Sequence, residues 1–318
     1  MMELLRRMDR NRWALLVGLL LFAMAPLIIQ WIEKPFYLDL LIRITILSIA
    51  AISLNLILGY GGMISFGHAA FIGIGAYAVG IPAYYEAYSG PLQLAIAVGS
   101  AGLFALLTGI ICLRTKGIHF IMITLAFAQM AFFTFVSLDE YGGDDGLVID
   151  VRSEFGSLID MESDIQLYYV ALACLLGTLL LVHRLVHSRF GRVIRGSKSN
   201  ISRMQSLGFD TYRYQLICYV IAGMLCGLAG WLLGNFTGFI SPEMMDWTRS
   251  GELLFMVVLG GTGMLFGPIL GVFTFIMAEE ILSGITVYWQ FIFGVMLILV
   301  VLFVRGGLGS IISRLGKK

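Results

Sequence analysis

Long apolar runs separated by short polar stretches fill this chain, at residues 13–32, 40–58, 67–85, 92–113, 118–137, 166–183, 214–236, 252–283 and 287–304. The hydrocarbon core of a bilayer asks for about 20 apolar residues of helix, so the pattern predicts an all-α polytopic membrane protein. Two runs are interrupted. From Ser53 to Val79 an apolar stretch breaks at Gly59, Gly61 and Gly62, passes through a polar Ser65-Phe66-Gly67-His68 centre and resumes. The run over 252–283 carries Gly260-Gly-Thr-Gly-Met-Leu-Phe-Gly-Pro268, a glycine cluster followed by a proline. Backbone groups freed inside a bilayer must be satisfied by protein or by water in a cavity. Each break therefore predicts either a place on a solute pathway or a close-packing point between helices.

Split at its break, the 252–283 run becomes two short legs meeting near Thr262 to Gly267, which brings the expectation to about ten membrane segments, some short or broken. Charge sets their direction. The loop from Leu138 to Ile165 holds nine Asp or Glu against Arg152 alone, and the loop from Arg184 to Arg213 holds seven Lys or Arg against Asp210 alone. By the positive-inside rule the basic loop, residues 184–213, is cytoplasmic and the acidic loop, residues 138–165, lies outside. Ten segments also place both the Arg6, Arg7, Arg10, Arg12 arm and the Arg305, Arg314, Lys317, Lys318 tail in the cytoplasm. The first run ends like a secretory signal at Ala23-Met-Ala25, but Pro26 follows and many spans come after, so it reads as a retained first helix.

The two breaks resemble each other, as Gly62-Met-Ile-Ser-Phe-Gly67 and Gly263-Met-Leu-Phe-Gly267. Glycine breaks at corresponding positions of two related halves point to a transporter whose solute passes between them. Small-xxx-small spacing at Gly223/Gly227, Gly230/Gly234 and Gly263/Gly267/Gly271 reads as helix packing.

With 318 residues, 59% of them hydrophobic and 13% charged, and a mean hydropathy of +0.91, little is left for a soluble catalytic domain. Walker A, HExxH and GxSxG signatures are absent, so the chain is not expected to hydrolyse ATP or act as an enzyme on its own. Gly73-Ile-Gly75-Ala-Tyr-Ala78 approximates a dinucleotide fingerprint but lies inside an apolar run with no strand before it. Cys112, Cys174, Cys218 and Cys226 show neither CxxC spacing nor a nearby His cluster and read as packing residues. No metal or resident cofactor is expected, and nothing points to nucleic acid.

His68, at the first break, is a candidate proton relay, substrate contact or cap for freed carbonyls; capping is preferred because the break leaves groups to satisfy. Ser65 and Asn55 take the same reading. Thr124 and Gln129 lie about 140° apart around one helix, so one of them at most lines a given surface. Arg43 reads as snorkelling to the interface, and Glu279 and Glu280 as a segment end near water. In the basic loop, Val193 to Gln205 predicts a short amphipathic helix, with Leu207-Gly208 as its stop and a new start at Asp210. Such a helix suits docking to a cytosolic partner or contact with anionic headgroups. In the acidic loop, Asp139, Glu140, Asp144 and Asp145 suit either a basic docking partner or a solvated turn shaped by Gly142, Gly143 and Gly146.

Several motifs taken together go further. Leu54-Asn-Leu-Ile-Leu-Gly59-Tyr-Gly-Gly-Met-Ile-Ser65-Phe-Gly-His-Ala69, Gly117-Ile-His-Phe-Ile-Met-Ile-Thr124-Leu-Ala-Phe-Ala-Gln129 and Gly142-Gly-Asp-Asp-Gly146 lie in the first half. Phe190-Gly-Arg192, Leu207-Gly208, Ser241-Pro242, Ser250-Gly-Glu252 and Val257-Val-Leu-Gly260-Gly-Thr-Gly-Met-Leu-Phe-Gly267-Pro follow. Over most of its length the chain resembles the permease subunits of branched-chain amino acid ABC importers, specifically the LivM-like member of the heterodimeric pair. The resemblance implies one permease domain over residues 1–318 in a bacterial inner membrane, paired with a homologous permease. Two cytoplasmic ATPase subunits would hold ATP and Mg, and a periplasmic binding protein would deliver solute. It makes Arg195 to Gly208 the coupling segment, with Arg192, Arg195, Asn200, Arg203, Leu207 and Gly208 as candidate ATPase contacts. The pathway candidates are Asn55, Gly62, Ser65, Phe66, Gly67, His68, Thr124, Gln129, Thr262 and Gly263, and those for docking or gating are Gly142, Gly143, Asp144, Asp145 and Gly146. Ser199 to Ser206 departs from the acidic, alanine-rich run common in the family, which leaves the partner ATPase open.

Two other classes compete. An ion-coupled secondary transporter needs coupling carboxylates in mid-membrane, which the interior windows almost lack. A facilitative channel gives the long basic loop no purpose beyond topology. Within the importer class, urea and short amides compete with branched-chain amino acids as the solute.

Overall fold

The computed structural model describes Phe22, Met24, Pro26 and residues 35–156, 160–303 and 306–309. Among these, the helices are α1 Pro35–Asn55, α2 His68–Tyr84, α3 Gly90–Cys112, α4 Ile118–Val136, α5 Asp164–His187 and α6 Arg189–Ser199. They continue as α7 Ile201–Ser206, α8 Thr211–Thr237, α9 Trp247–Gly260, α10 Gly267–Ile285 and α11 Trp289–Phe303. Six helical segments are long and apolar enough to cross a membrane: Phe36–Tyr60, Gly90–Cys112, Ile118–Val136, Asp164–His187, Thr211–Thr237 and Gly267–Ile285. The shorter α2 is also apolar. The protein is all-α and polytopic. Each apolar window from residue 40 onward is a helix, and the 252–283 window is two, α9 and α10. The 13–32 window lies outside the described residues except at Phe22, Met24 and Pro26.

Local chemistry sets the ends. Pro91 and Pro268 stand in the first turns of α3 and α10, where a missing N–H removes no helical bond. Ser188, Asn200 and Asp210 each accept a backbone N–H with the side chain, starting α6, α7 and α8. The single amphipathic helix expected over Val193 to Gln205 is therefore two. Asn200 sits in extended backbone at φ −160° and its side chain caps the second helix, so the run turns there.

α1 occupies the centre. Ile42, Ile44, Ile46, Ile49, Ile52 and Leu54 are all buried, residues on every face, as a helix apolar all round requires when other helices surround it. α8 packs on both α2 and α3 through its glycines. A Cβ at Gly230 would collide with the Ile72 carbonyl of α2, whereas Gly223 and Gly227 lie against Ala105 and Ala101 of α3. The Cys226 thiol donates to the His68 carbonyl at 3.4 Å. Cys226 is fifteen residues beyond Thr211, so α2 begins about 22 Å along α8, deep in the bundle. At the opposite end a short antiparallel pair, Leu147–Val148 with Phe239–Ile240, ties the acidic loop to the end of α8.

Candidate functional site

The two glycine breaks meet in space. α1 runs into a π-turn, Leu56–Tyr60, and an irregular stretch before α2, while residues 261–266 join α9 to α10. Asn55 bridges them: its Nδ2 donates to the Met264 carbonyl at 2.9 Å and its Oδ1 accepts the Gly263 N–H at 2.9 Å. Gly59 has no room for a side chain, since a Cβ there would strike Asn55 Oδ1 and the Gly263 backbone. Gly62 and Gly263, which open the two similar motifs, both have left-handed backbone at φ +71° and +79°.

Hydroxyls satisfy the backbone freed ahead of α2. Phe66 N–H donates to Thr124 Oγ1 at 3.2 Å, Gly67 N–H to Ser65 Oγ at 3.2 Å, and Ala69 N–H to Ser250 Oγ at 2.9 Å. All three hydroxyls thus cap N–H groups, whereas His68, read from the sequence as a cap for freed carbonyls, takes no part in this network. His68 is fully buried, packs edge-on against Phe71 at 5.4 Å, and neither ring nitrogen has a hydrogen-bond partner among the described residues. Ser250 is a contributor the candidate set omits; it lies on α9, 181 positions from the N–H it caps. Gln129 points elsewhere, its amide 3.4 Å from Asp246 Oδ1. Gly62 and Thr262 are exposed, whereas Asn55, Ser65, Gly67 and Thr124 are buried in the walls.

The basic loop reaches the same place through a residue outside the predicted set. Lys198, near the end of α6, donates from Nζ to the Gly59 carbonyl at 2.7 Å, a carbonyl at a helix end where acceptors lack intrahelical donors. A cavity of about 400 Å³ adjoins this contact, lined by Gly62, Ile64, Lys116, Phe120, Lys198 and Gln215 among others. The predicted coupling residues divide into two groups. Arg195 holds the corner between α5 and α6, donating to the Val186 carbonyl at 2.9 Å, and Asn200 caps α7. Arg192, Arg203 and Leu207 face outward, and Gly208 turns the chain at φ +85°.

At the other end Gly142, Gly143 and Gly146 have φ of +88°, +49° and +82°, folding the acidic loop into two tight turns that expose Asp144 and Asp145. Tyr85 braces this loop through Tyr141 at 3.0 Å and Glu140 at 3.3 Å. The hydrogen bond with Tyr141, then desolvation and the nearby Glu140 carboxylate, push the Tyr85 phenol up to about 12. Arg43 has a partner that its sequence position does not reveal. It reaches across to Glu279 on α10, with oxygens at 3.4 and 3.5 Å.

The permease component of branched-chain amino acid transport systems, as a family, matches residues 36–301. The chain belongs to this family. The high-affinity branched-chain amino acid transport system permease protein LivM of Escherichia coli (strain K12) is 27% identical, covering 91% of this chain and 74% of the relative. LivM of Salmonella typhimurium is 28% identical over the same shares. An autoinducer 2 import system permease, LsrC of Photorhabdus luminescens, is 30% identical over 37% of this chain and 38% of its own. No solved structure matches. As a member of this family, the chain is a multi-pass permease subunit of the ABC importer class.

Proposed function

We propose that this permease carries branched-chain amino acids inward across a bacterial inner membrane. In this reading it pairs with a homologous permease, two cytoplasmic ATPases holding ATP and Mg drive it, and a periplasmic binding protein loads it. Ten membrane segments follow if residues 13–32 form the first and α2, α9 and α11 cross as short helices, which returns the basic tail to the cytoplasm.

The observation that carries the reading is the Lys198 contact. α6 and α7 lie between membrane helices on the basic side, and Lys198 holds the Gly59 carbonyl at 2.7 Å. One turn earlier on the same stretch, Asn55 holds the second break through Gly263 and Met264. Closure of the ATPases displaces α6; Lys198 draws on the end of α1, and Asn55 transmits that movement to the α9–α10 break. In this reading the outward-facing Arg192, Arg203 and Leu207 meet the ATPase, which their exposure supports.

The test uses the complete complex in liposomes. Lys198→Met keeps the aliphatic stem but loses a charge-assisted hydrogen bond worth about 1.5–3 kcal/mol. The expected result is retained ATPase binding and ATP hydrolysis with leucine uptake per ATP reduced about tenfold. Wild-type uptake by the chain alone, without ATPases, would overturn the importer reading. Urea and short amides in the same assay decide the solute.

A further inference from the structure

The cavity of about 400 Å³ beside the Lys198 contact holds chemistry that this contact leaves unused. Four parts of the fold enclose it: the irregular stretch after the π-turn, the turn from α3 to α4, the junction of α6 and α7, and the start of α8. Lys116 and Lys198 stand on two of these, and none of the described lining residues is acidic. The chain around the cavity is equally one-sided. Residues 56–67, 112–120 and 184–215 carry nine Lys or Arg and a single acid, Asp210, which pairs with Arg213 at 2.8 Å.

Several donors border this space. Lys198 gives one N–H to the Gly59 carbonyl, and an ammonium has three. Its stem lies across Gly62, where a Cβ would come within 2.9 Å of Lys198 Cγ, so the bare glycine leaves the side chain its path. Lys116 and the Gln215 amide have no hydrogen-bond partner among the described residues, whereas the Thr115 and Ser197 hydroxyls are turned to helix carbonyls. α4 begins at the same place. Gly117, its N-cap, and Phe120 line the cavity, and no side chain caps the helix. The N–H groups of its first turn therefore lack intrahelical acceptors and carry the positive end of the helix dipole. Both lysines are exposed, so the space is reached from the basic-loop side.

Two ammonium groups, an amide and a helix N-terminus suit one ligand chemistry. At neutral pH a phosphate monoester brings about −1.5 to −2 of charge and three acceptor oxygens, and a helix N-terminus with cations beside it is a ready seat for such a group. A carboxylate brings a single charge and two oxygens. The rest of the lining is largely apolar, with Met63, Ile64, Leu113, Phe120 and Ile201. The volume equals the share of about thirteen waters at about 30 Å³ each, which leaves room for the organic part of an ester. We propose that this cavity binds a phosphate monoester, the phosphate seated between Lys116, Lys198 and the first turn of α4 and completed by the Gln215 amide. Lys198 keeps its bond to Gly59, since its other N–H groups serve the phosphate. The monoester is either a soluble metabolite or the headgroup of phosphatidic acid, whose chains would lie along the exposed Ile111 and Ile118 that flank the turn. The test separates these two sources.

The full chain is reconstituted in phosphatidylcholine nanodiscs and probed in two arms. Radiolabelled glycerol 3-phosphate is measured by equilibrium dialysis, and phosphatidic acid mixed into the bilayer is counted on the released chain by native mass spectrometry. Saturable binding is expected: in the dialysis arm it marks a soluble ester, and in the lipid arm alone a headgroup. Lys116→Gln weakens it about ten- to a hundredfold, as loss of a charge-assisted contact requires. Gln215→Leu, which changes no charge, weakens it about two- to tenfold; a general attraction of anions to a basic surface would not respond to this variant. Ile64→Trp, which fills the cavity without altering charge, abolishes binding. The wild-type chain supplies a readout independent of how the variants fold. It prefers inorganic phosphate to acetate in the first arm, or phosphatidic acid to phosphatidylglycerol in the second, by about tenfold or more. No saturable binding in either arm, equal binding of the paired anions, or binding unmoved by all three substitutions in folded protein would each overturn the proposal. The measurement needs neither ATPases nor transported solute, so its failure leaves the importer reading untouched, and failure of that reading leaves this site.

Discussion

Asn55 does at one position what two glycine breaks need. Its amide offers a donor and an acceptor, and both go to backbone that the α9–α10 break leaves open. Asn55→Ala strands the Gly263 N–H and the Met264 carbonyl together. An orphaned buried group costs about 1–3 kcal/mol, although interhelical hydrogen bonds in membranes average about 0.6 kcal/mol because the freed groups find new partners. The expected loss is about 1–3 kcal/mol, read as a lower unfolding midpoint in detergent; an unchanged midpoint would make the two breaks energetically independent. His68 poses the opposite case. Its ring is buried beside Phe71 with both nitrogens unpartnered among the described residues, so His68→Phe removes unsatisfied polar atoms without leaving others behind. Its unfolding midpoint is expected to hold or rise, and a marked fall would show that the imidazole makes a bond in the assembled complex.

Helices and their breaks were the most legible element of this chain, for a physical reason. A bilayer demands long apolar runs and forbids unsatisfied backbone, so glycine clusters inside such runs stand out at Gly59 to Gly62 and Gly260 to Gly267. Pairing was not legible. Asn55 and Gly263 are 208 positions apart, Lys198 and Gly59 139, and Arg43 and Glu279 236. Nothing in one sequence says which helices adjoin, so neither the Glu279 partner of Arg43 nor the Gly59 partner of Lys198 could be read from it. Small-residue stripes fared between the two: their role as packing surfaces was readable, their partners were not. Gly230→Ala would drive a Cβ into the Ile72 carbonyl, whereas Gly177 on α5 has open space around it. Overpacking costs about 1–3 kcal/mol, so Gly230→Ala is expected to lower the unfolding midpoint. Gly177→Ala is expected to be neutral or stabilising by up to about 1 kcal/mol through helix propensity. Equal effects at the two positions would mean that α2 and α8 do not rely on this close approach.

At the scale of the whole molecule, α1 links its two ends. Its 18-residue core window is 83% buried, and it carries Arg43 in the pairing with Glu279 and Asn55 at the breaks, twelve residues or about 18 Å apart. The acidic loop completes the far end. It is tied to the end of α8 by the Leu147–Val148 pairing, and its glycines leave Asp144 and Asp145 projecting from a fixed turn. Charges so placed mainly speed and orient encounter and add little to the affinity of the docked state. Asp144→Asn with Asp145→Asn is therefore expected to slow association of a delivering binding protein by about two- to tenfold at low ionic strength. The difference should shrink toward nothing at about 1 M salt, where the Debye length falls to about 3 Å, and maximal uptake at saturating binding protein should be unchanged. Stopped-flow association against salt reads the first two, and liposome uptake the third. Gly146→Ala is the contrasting variant: at φ +82° a side chain is strained, and its Cβ would crowd the Ile240 carbonyl at 2.6 Å. It distorts the turn while keeping every charge, so a slowing that persists at high salt in Gly146→Ala but disappears in the aspartate variant would separate the shape of the loop from its charge.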